Sequence, residues 1–140
     1  MKKTDELEFE LTHTKSIQTY MEENAAHFNE EAFVQYLSAL VKQCGKTKTK
    51  IAADSHLSEP FLYNLLRAEK RPTKESVVKL AFGLSLDLPK TERLLQLAGH
   101  SRFYVRQKKD SLLMHAIQNN MDITEADNLL AGYGFSVVGE

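Results

Sequence analysis

The sequence predicts an all-α protein, and three observations carry that. Leu, Ala, Lys and Glu dominate the 140 residues and favour helices. Only six Gly and three Pro leave little turn material for a many-stranded β fold. Apolar residues recur at three- and four-residue spacing through most of the chain. A hydrophobic share of 42% and an aromatic share of 9% belong to a globular chain rather than a disordered one. This length suits one domain with a core of its own, with or without a small extension.

Taken in order, Ser16 can cap a helix running to about His27, with Ile17, Tyr20, Met21 and Phe28 as its apolar side. Asn29 can cap the next helix, and Glu30 and Glu31 fall in its first turn, where the helix dipole favours acids. Phe33, Val34, Leu37, Leu40 and Val41 form a buried stripe along it, and Gly45 closes it. A short helix from about Thr47 to Asp54 turns Ile51, Ala52 and Ser55 inward. The tight turn Ser55-His56-Leu57 leads to Ser58, a good N-cap, and Pro60 fits the first turn that follows. The helix begun there buries Phe61, Leu62, Leu65 and Leu66 and shows Glu59, Tyr63, Asn64 and Arg67 to the outside. Lys70, Arg71 and Pro72 are expected to end it. A further helix starts near Thr73 and runs through Val77, Val78, Leu80 and Ala81.

An internal repeat follows, with an offset of 35 residues. It matches Arg71 with Arg106, Lys74 with Lys109, Ser76 with Ser111 and Ala81 with Ala116. It continues through Asp87/Asp122, Leu94/Leu129, Leu95/Leu130 and Gly99/Gly134 without a gap. The unit reads as helix, short turn, helix, Gly cap. Two copies are too few for a solenoid, so a duplicated helical hairpin packed onto the domain is expected. Between the copies lies GHSRFYVRQKKD, basic and aromatic, with Phe103, Tyr104 and Val105 expected to plug the core where the hairpins meet.

Charge is uneven along the chain. Residues 1–31 carry a net −5, residues 46–109 a net +8 and residues 110–140 a net −5. A basic middle between acidic ends fits an anionic partner for the middle, or else a solvated mixed surface. Arg102, Arg106, Lys108 and Lys109 either extend such a binding surface, stand in solvent, or pair with the acidic end of another copy.

The single cysteine, Cys44, excludes a disulfide framework and reads as a small buried apolar residue. The five histidines, at 13, 27, 56, 100 and 115, stand at no ligand spacing, so no metal is expected. No nucleophile–base grouping, phosphate-cradling Gly loop or isolated carboxylate pair points to an enzyme, and no cofactor is expected. The opening MKKTDELEFELT lacks the apolar run of a secretory leader. No stretch approaches the ~20 apolar residues of a membrane span. A cytoplasmic protein is expected.

Two helices joined by a tight turn, the second with a polar outer face, make a helix-turn-helix geometry. A helix fits the major groove of B-DNA, where side chains near its start reach base edges. The helix before it crosses the backbone, where its N-terminus and lysines meet phosphates. Ile51 and Ala52, Leu57 in the turn, Leu62 and Leu65, and the run RAEKRPTKESVVKLAFGLSL carry a family pattern. Over about residues 30–88 the chain resembles Cro/λ-repressor-like, or XRE-type, helix-turn-helix regulators. The stretch ERLLQLAGHSRFYVRQKKDSLLMHAIQNNMDITEADNLLAGYGF is similar to a tail in a subset of XRE-type proteins of Gram-positive bacteria.

The resemblance implies five helices around one core, the third being the reader. It divides the chain into an acidic N-terminal helical extension over 1–28, a helix-turn-helix domain over 29–88 and a C-terminal helical extension over 89–140, packed on the core. The reader would start at Ser58, with Glu59, Pro60, Tyr63, Asn64 and Arg67 facing bases or backbone. Lys46, Thr47 and Lys48 would meet phosphate before it, and Lys70, Arg71 and Lys74 after it. Two departures stand out. His56 occupies a turn position where the family often has Gly, so φ > 0 there would carry some strain. Glu59 and Pro60 stand at the tip where polar or basic residues are usual. Glu accepts from cytosine N4, Asn64 suits adenine and Arg67 guanine or phosphate. The expected activity is double-stranded DNA binding, sequence-specific or backbone-led, by a small transcriptional regulator. The expected partners are duplex DNA, a second copy of the chain, and a protein at the acidic N-terminal or C-terminal helices. The alternative is a protein-interaction adaptor on a degenerate helix-turn-helix scaffold.

Overall fold

Leu37, Ile51, Leu62, Leu80 and Leu94 come from five different helices, and none keeps any solvent exposure. They belong to the computed structural model of the chain, which describes residues 31–137. The expected helix from Ser16 to His27 and the Asn29 cap lie outside those residues. Among the described residues all regular structure is helical, with no strand. Helix α1 covers 31–43. It is followed by α2 (Lys48–Asp54), α3 (Glu59–Leu66), α4 (Lys74–Gly83), α5 (Leu88–Leu97), α6 (Lys108–Gln118) and α7 (Ile123–Ala131). None of these helices is long and apolar enough to cross a membrane.

The stripe expected on α1 is the buried one: Phe33, Leu37, Leu40 and Val41 enter the core and Val34 packs at its edge. Helix α2 packs on α3 and α4, α4 on α5 and α7, and α6 on α5 and α7. Every described helix contributes to one apolar cluster, which includes Phe103 and Val137. The second hairpin is therefore part of the same core as the first.

Local chemistry sets the ends of α2 and α3. The Thr47 hydroxyl accepts the Lys50 amide at 3.1 Å and the Ser58 hydroxyl accepts the Phe61 amide at 3.2 Å, so both helices start on a side-chain cap. Between them the Leu57 amide returns to the Ala52 carbonyl at 3.0 Å, which requires a left-handed residue at His56, φ 54°. Helix α3 is shorter than expected. It stops at Leu66 because Ala68 is left-handed (φ 59°) and the Glu69 amide turns back to the Asn64 carbonyl at 2.8 Å. Lys70, Arg71 and Pro72 form the non-helical link to α4 instead of the end of α3. Phe61 and Leu66 are half-buried where full burial was expected.

The 35-residue offset reappears in the backbone. Ser85 and Asn120 are both left-handed (φ 55° and 56°), and so are Gly99 and Gly134 (φ 85° each). The Leu86 amide bonds to the Ala81 carbonyl as the Met121 amide bonds to that of Ala116. His100 bonds to Leu95 as Phe135 bonds to Leu130. Asp87 and Asp122 cap α5 and α7 in the same way. Only the second is a reciprocal capping box, because Glu125 can reach back to the cap amide where Lys90, its counterpart, cannot accept.

The segment between hairpins departs from expectation. Phe103 is buried, but Tyr104 is 53% and Val105 64% exposed. The Asp110 carboxylate accepts the Tyr104 amide at 2.8 Å, and the Val105 carbonyl accepts the Ser111 hydroxyl. These bonds turn the chain outward just before α6, so only Phe103 plugs the core.

Candidate nucleic-acid interface

Of the helices from α2 onward, α3 packs chiefly on α2. Leu62 and Leu65 are fully buried, and the exposed residues of α3 lie on its opposite side. Pro60, Tyr63 and Arg67 are exposed there, while Glu59 and Asn64 are half-buried at its margins. The i, i+4 spacing of Tyr63 and Arg67 places them one above the other. Thus Glu59, expected to stand fully outside, is partly covered.

The flanking cations divide into two kinds. Lys46 is held inward: its ammonium lies 3.0 Å from Asp54 and 2.9 Å from the Gly83 carbonyl oxygen. This hydrogen bond holds the Asp54 carboxyl below its usual range, Lys50 at 3.2 Å adding to the effect and partial burial opposing it. Thr47 and Ser58 spend their hydroxyls on helix caps. Lys48, in contrast, is exposed and reaches across to α3, its ammonium 5.3 Å from the centre of the Tyr63 ring. The start of α2 and the outer face of α3 are thereby brought together.

At the other end of α3, Arg67 is partly occupied. Its guanidinium donates to Asn64 Oδ1 at 3.2 Å and pairs with Glu69 at 3.3 Å. Both Arg67 and Glu69 are more than half exposed, so that pair is weak and exchangeable. Lys70 lies 5.9 Å from the Phe61 ring, and Arg71 is exposed with no ion-pair partner among the described residues. Lys74 sits further round, 3.7 Å from buried Asp110 and 5.9 Å from the Phe103 ring. The structure therefore sets Lys48 against Tyr63 and Arg67 against Asn64 on the outer side of α3, leaves Lys70 and Arg71 exposed in the turn that follows, and holds Lys46 half-buried against Asp54 and Gly83. The Lys48–Tyr63 contact has no sequence signal beyond the proximity of two helices. The inward turn of Lys46 depends on Gly83, 37 residues away in sequence.

This surface can offer cations and amphipathic donors to an extended polyanion. No protein-family model, curated protein or solved structure matches the chain.

Proposed function

We propose that the protein binds double-stranded DNA as a small transcriptional regulator of the XRE type. In this reading α1–α5 make the five-helix core, α2, its turn and α3 make the helix-turn-helix, and α3 enters the major groove. The observation that carries it is the outer side of α3, where Tyr63 and Arg67 are exposed and Lys48 lies against the Tyr63 ring, with exposed Lys70 and Arg71 in the turn that follows. The caps on Thr47 and Ser58 and the left-handed His56 support it, since they fix the angle at which α3 leaves α2. Binding is led by the backbone: phosphate contacts from Lys48, Lys70 and Arg71 supply affinity, and Asn64 and Arg67 supply modest base choice. A second copy on a half-site one helical turn away completes the assembly.

Selection of bound duplexes from a random-sequence pool tests this. An enriched motif that fades in an Asn64→Ala, Arg67→Ala double variant supports a reader helix. Retention of no duplex contradicts it.

One observation favours a second reading. Asn64 and Arg67 already bond to each other, and Glu69 shares the arginine. With Glu59 and Pro60 at the tip, that suits an adaptor that docks a protein on α3 and ignores nucleic acid. Such an adaptor would leave the duplex pool unselected.

A further inference from the structure

The link between the two hairpins holds a second cationic cluster, and three contacts fix it beside the basic turn after α3. His100 Nε2 is 2.9 Å from the Pro72 carbonyl oxygen. Lys74 is 3.7 Å from Asp110, and its ammonium is 5.9 Å from the Phe103 ring. A cleft of about 180 Å³ lies where the two segments meet. Lys74, Glu75 and Val78 line one side, and Lys109, Asp110 and Leu113, their counterparts at the 35-residue offset, line the other.

The offset explains the charge. The approach to α4 carries Arg71 and Lys74, and the approach to α6 carries Arg106 and Lys109 at the same positions, with Lys108 between them. The acids nearby are spoken for. Asp110 is buried on Lys74 and the Tyr104 amide, Glu75 pairs with Lys79, and Glu92 faces Arg102. Arg106, Lys108 and Lys109 have no acidic partner among the described residues, and the first two are exposed. The His100–Pro72 and Lys74–Asp110 contacts tie the segment that carries them to the turn that carries Lys70 and Arg71, so the cations of the two segments can act as one strip.

We infer that the phosphate-binding surface runs from the turn after α3 across the approach to α6, so that a duplex seated on α3 is also held by Arg106, Lys108 and Lys109. This rests on the DNA-binding reading and adds a second backbone contact to it. B-DNA presents one charge per about 1.7 Å of axis, so a strip of this kind meets phosphates wherever the duplex passes over it. The bonds from Asp110 to Tyr104 and from Ser111 to Val105 hold the strip outward.

The test uses the full chain, a random-sequence duplex and a range of salt concentrations. The triple variant R106Q/K108Q/K109Q changes two exposed side chains and the half-buried Lys109 at the edge of the cleft, so its melting temperature is checked against that of the unaltered chain. Lys90, at the far end of the α4–α5 hairpin from Lys74, provides a control in K90Q. For three lost contacts the slope of log affinity against log salt should become shallower by up to about 2.7, and affinity at low salt should fall more than about tenfold. K90Q should keep the slope of the unaltered chain. A triple variant whose slope equals that of K90Q overturns the second contact while leaving duplex binding by α3 in place. Failure of the unaltered chain to bind any duplex overturns both.

Discussion

Lys46 joins three parts of the chain through one ammonium. It precedes α2, pairs with Asp54 in the last turn of α2 and donates to the last residue of α4. Cations suit helix C-termini, and this one serves two at once. Replacing it by Met should cost about 1–2 kcal/mol in a urea titration, because both acceptors lose a charged donor. The same pair sets a pH dependence. Asp54 is held below its ordinary value in the folded state, while the unfolded carboxyl titrates near about 3.9. Its contribution is therefore complete above about pH 4 and is lost as pH falls through the folded-state value. Unfolding measured from pH 6 downward should show the loss, and Lys46→Met should flatten it. Gly83 makes a second local point. A methyl group there would lie 1.8 Å from Ser55 Oγ and 2.9 Å from the Ser55 backbone nitrogen. The helical preference of Ala over Gly, worth about 1 kcal/mol, is outweighed by that clash, so Gly83→Ala should lower stability by about 2 kcal/mol net. Ser55 Oγ itself is buried without a hydrogen-bond partner among the described residues. Ser55→Ala should consequently be neutral or stabilising by up to about 1 kcal/mol in the same titration.

The helices themselves were legible, because their signals are local. Thr47, Ser58, Thr73 and Asp87 each cap the helix that follows by accepting an amide three residues on. The repeat was legible for the same reason: Gly99 and Gly134 sit at matched left-handed positions, and a Cβ at either would meet nothing within 4 Å. Gly99→Ala and Gly134→Ala should therefore each cost about 1 kcal/mol through backbone strain alone, and by similar amounts in the two hairpins. Thermal melts of the two variants side by side check that equality. What was not legible depended on partners distant in sequence. Nothing near Lys70 announces that α3 has already ended at Leu66; the left-handed turn at Ala68 decides it. Tyr104 and Val105 look apolar enough for a core, yet Asp110 and Ser111 hold that stretch on the surface.

Across the whole molecule the charge pattern acquires a geometry. The net +8 of residues 46–109 is not spread evenly. Lys46 and Lys50 share Asp54 and Lys79 pairs with Glu75, whereas Lys48, Lys70, Arg71, Lys90, Arg93, Arg106 and Lys108 are exposed with no acidic partner among the described residues. Sequence alone placed Lys46 with the phosphate-facing group, since a lysine before a helix looks the same whether it points out or in. The candidate surface that remains is narrower than the twelve residues first singled out, because Lys46, Thr47, Ser58 and Lys74 are already engaged within the fold. Because Arg71 has no acidic partner and Arg67 is already shared with Glu69, Arg71→Ala should weaken duplex binding more than Arg67→Ala. Neither should change the melting temperature, and fluorescence anisotropy with a labelled duplex separates the two. The most direct measurement is the affinity of the full chain for a random duplex between about 50 and 200 mM salt, a range over which proteins held by several phosphate contacts weaken by orders of magnitude. A steep loss across that range is the predicted result. An affinity that ignores salt, or no detectable binding even at the lowest concentration, would contradict a cationic surface built to hold DNA.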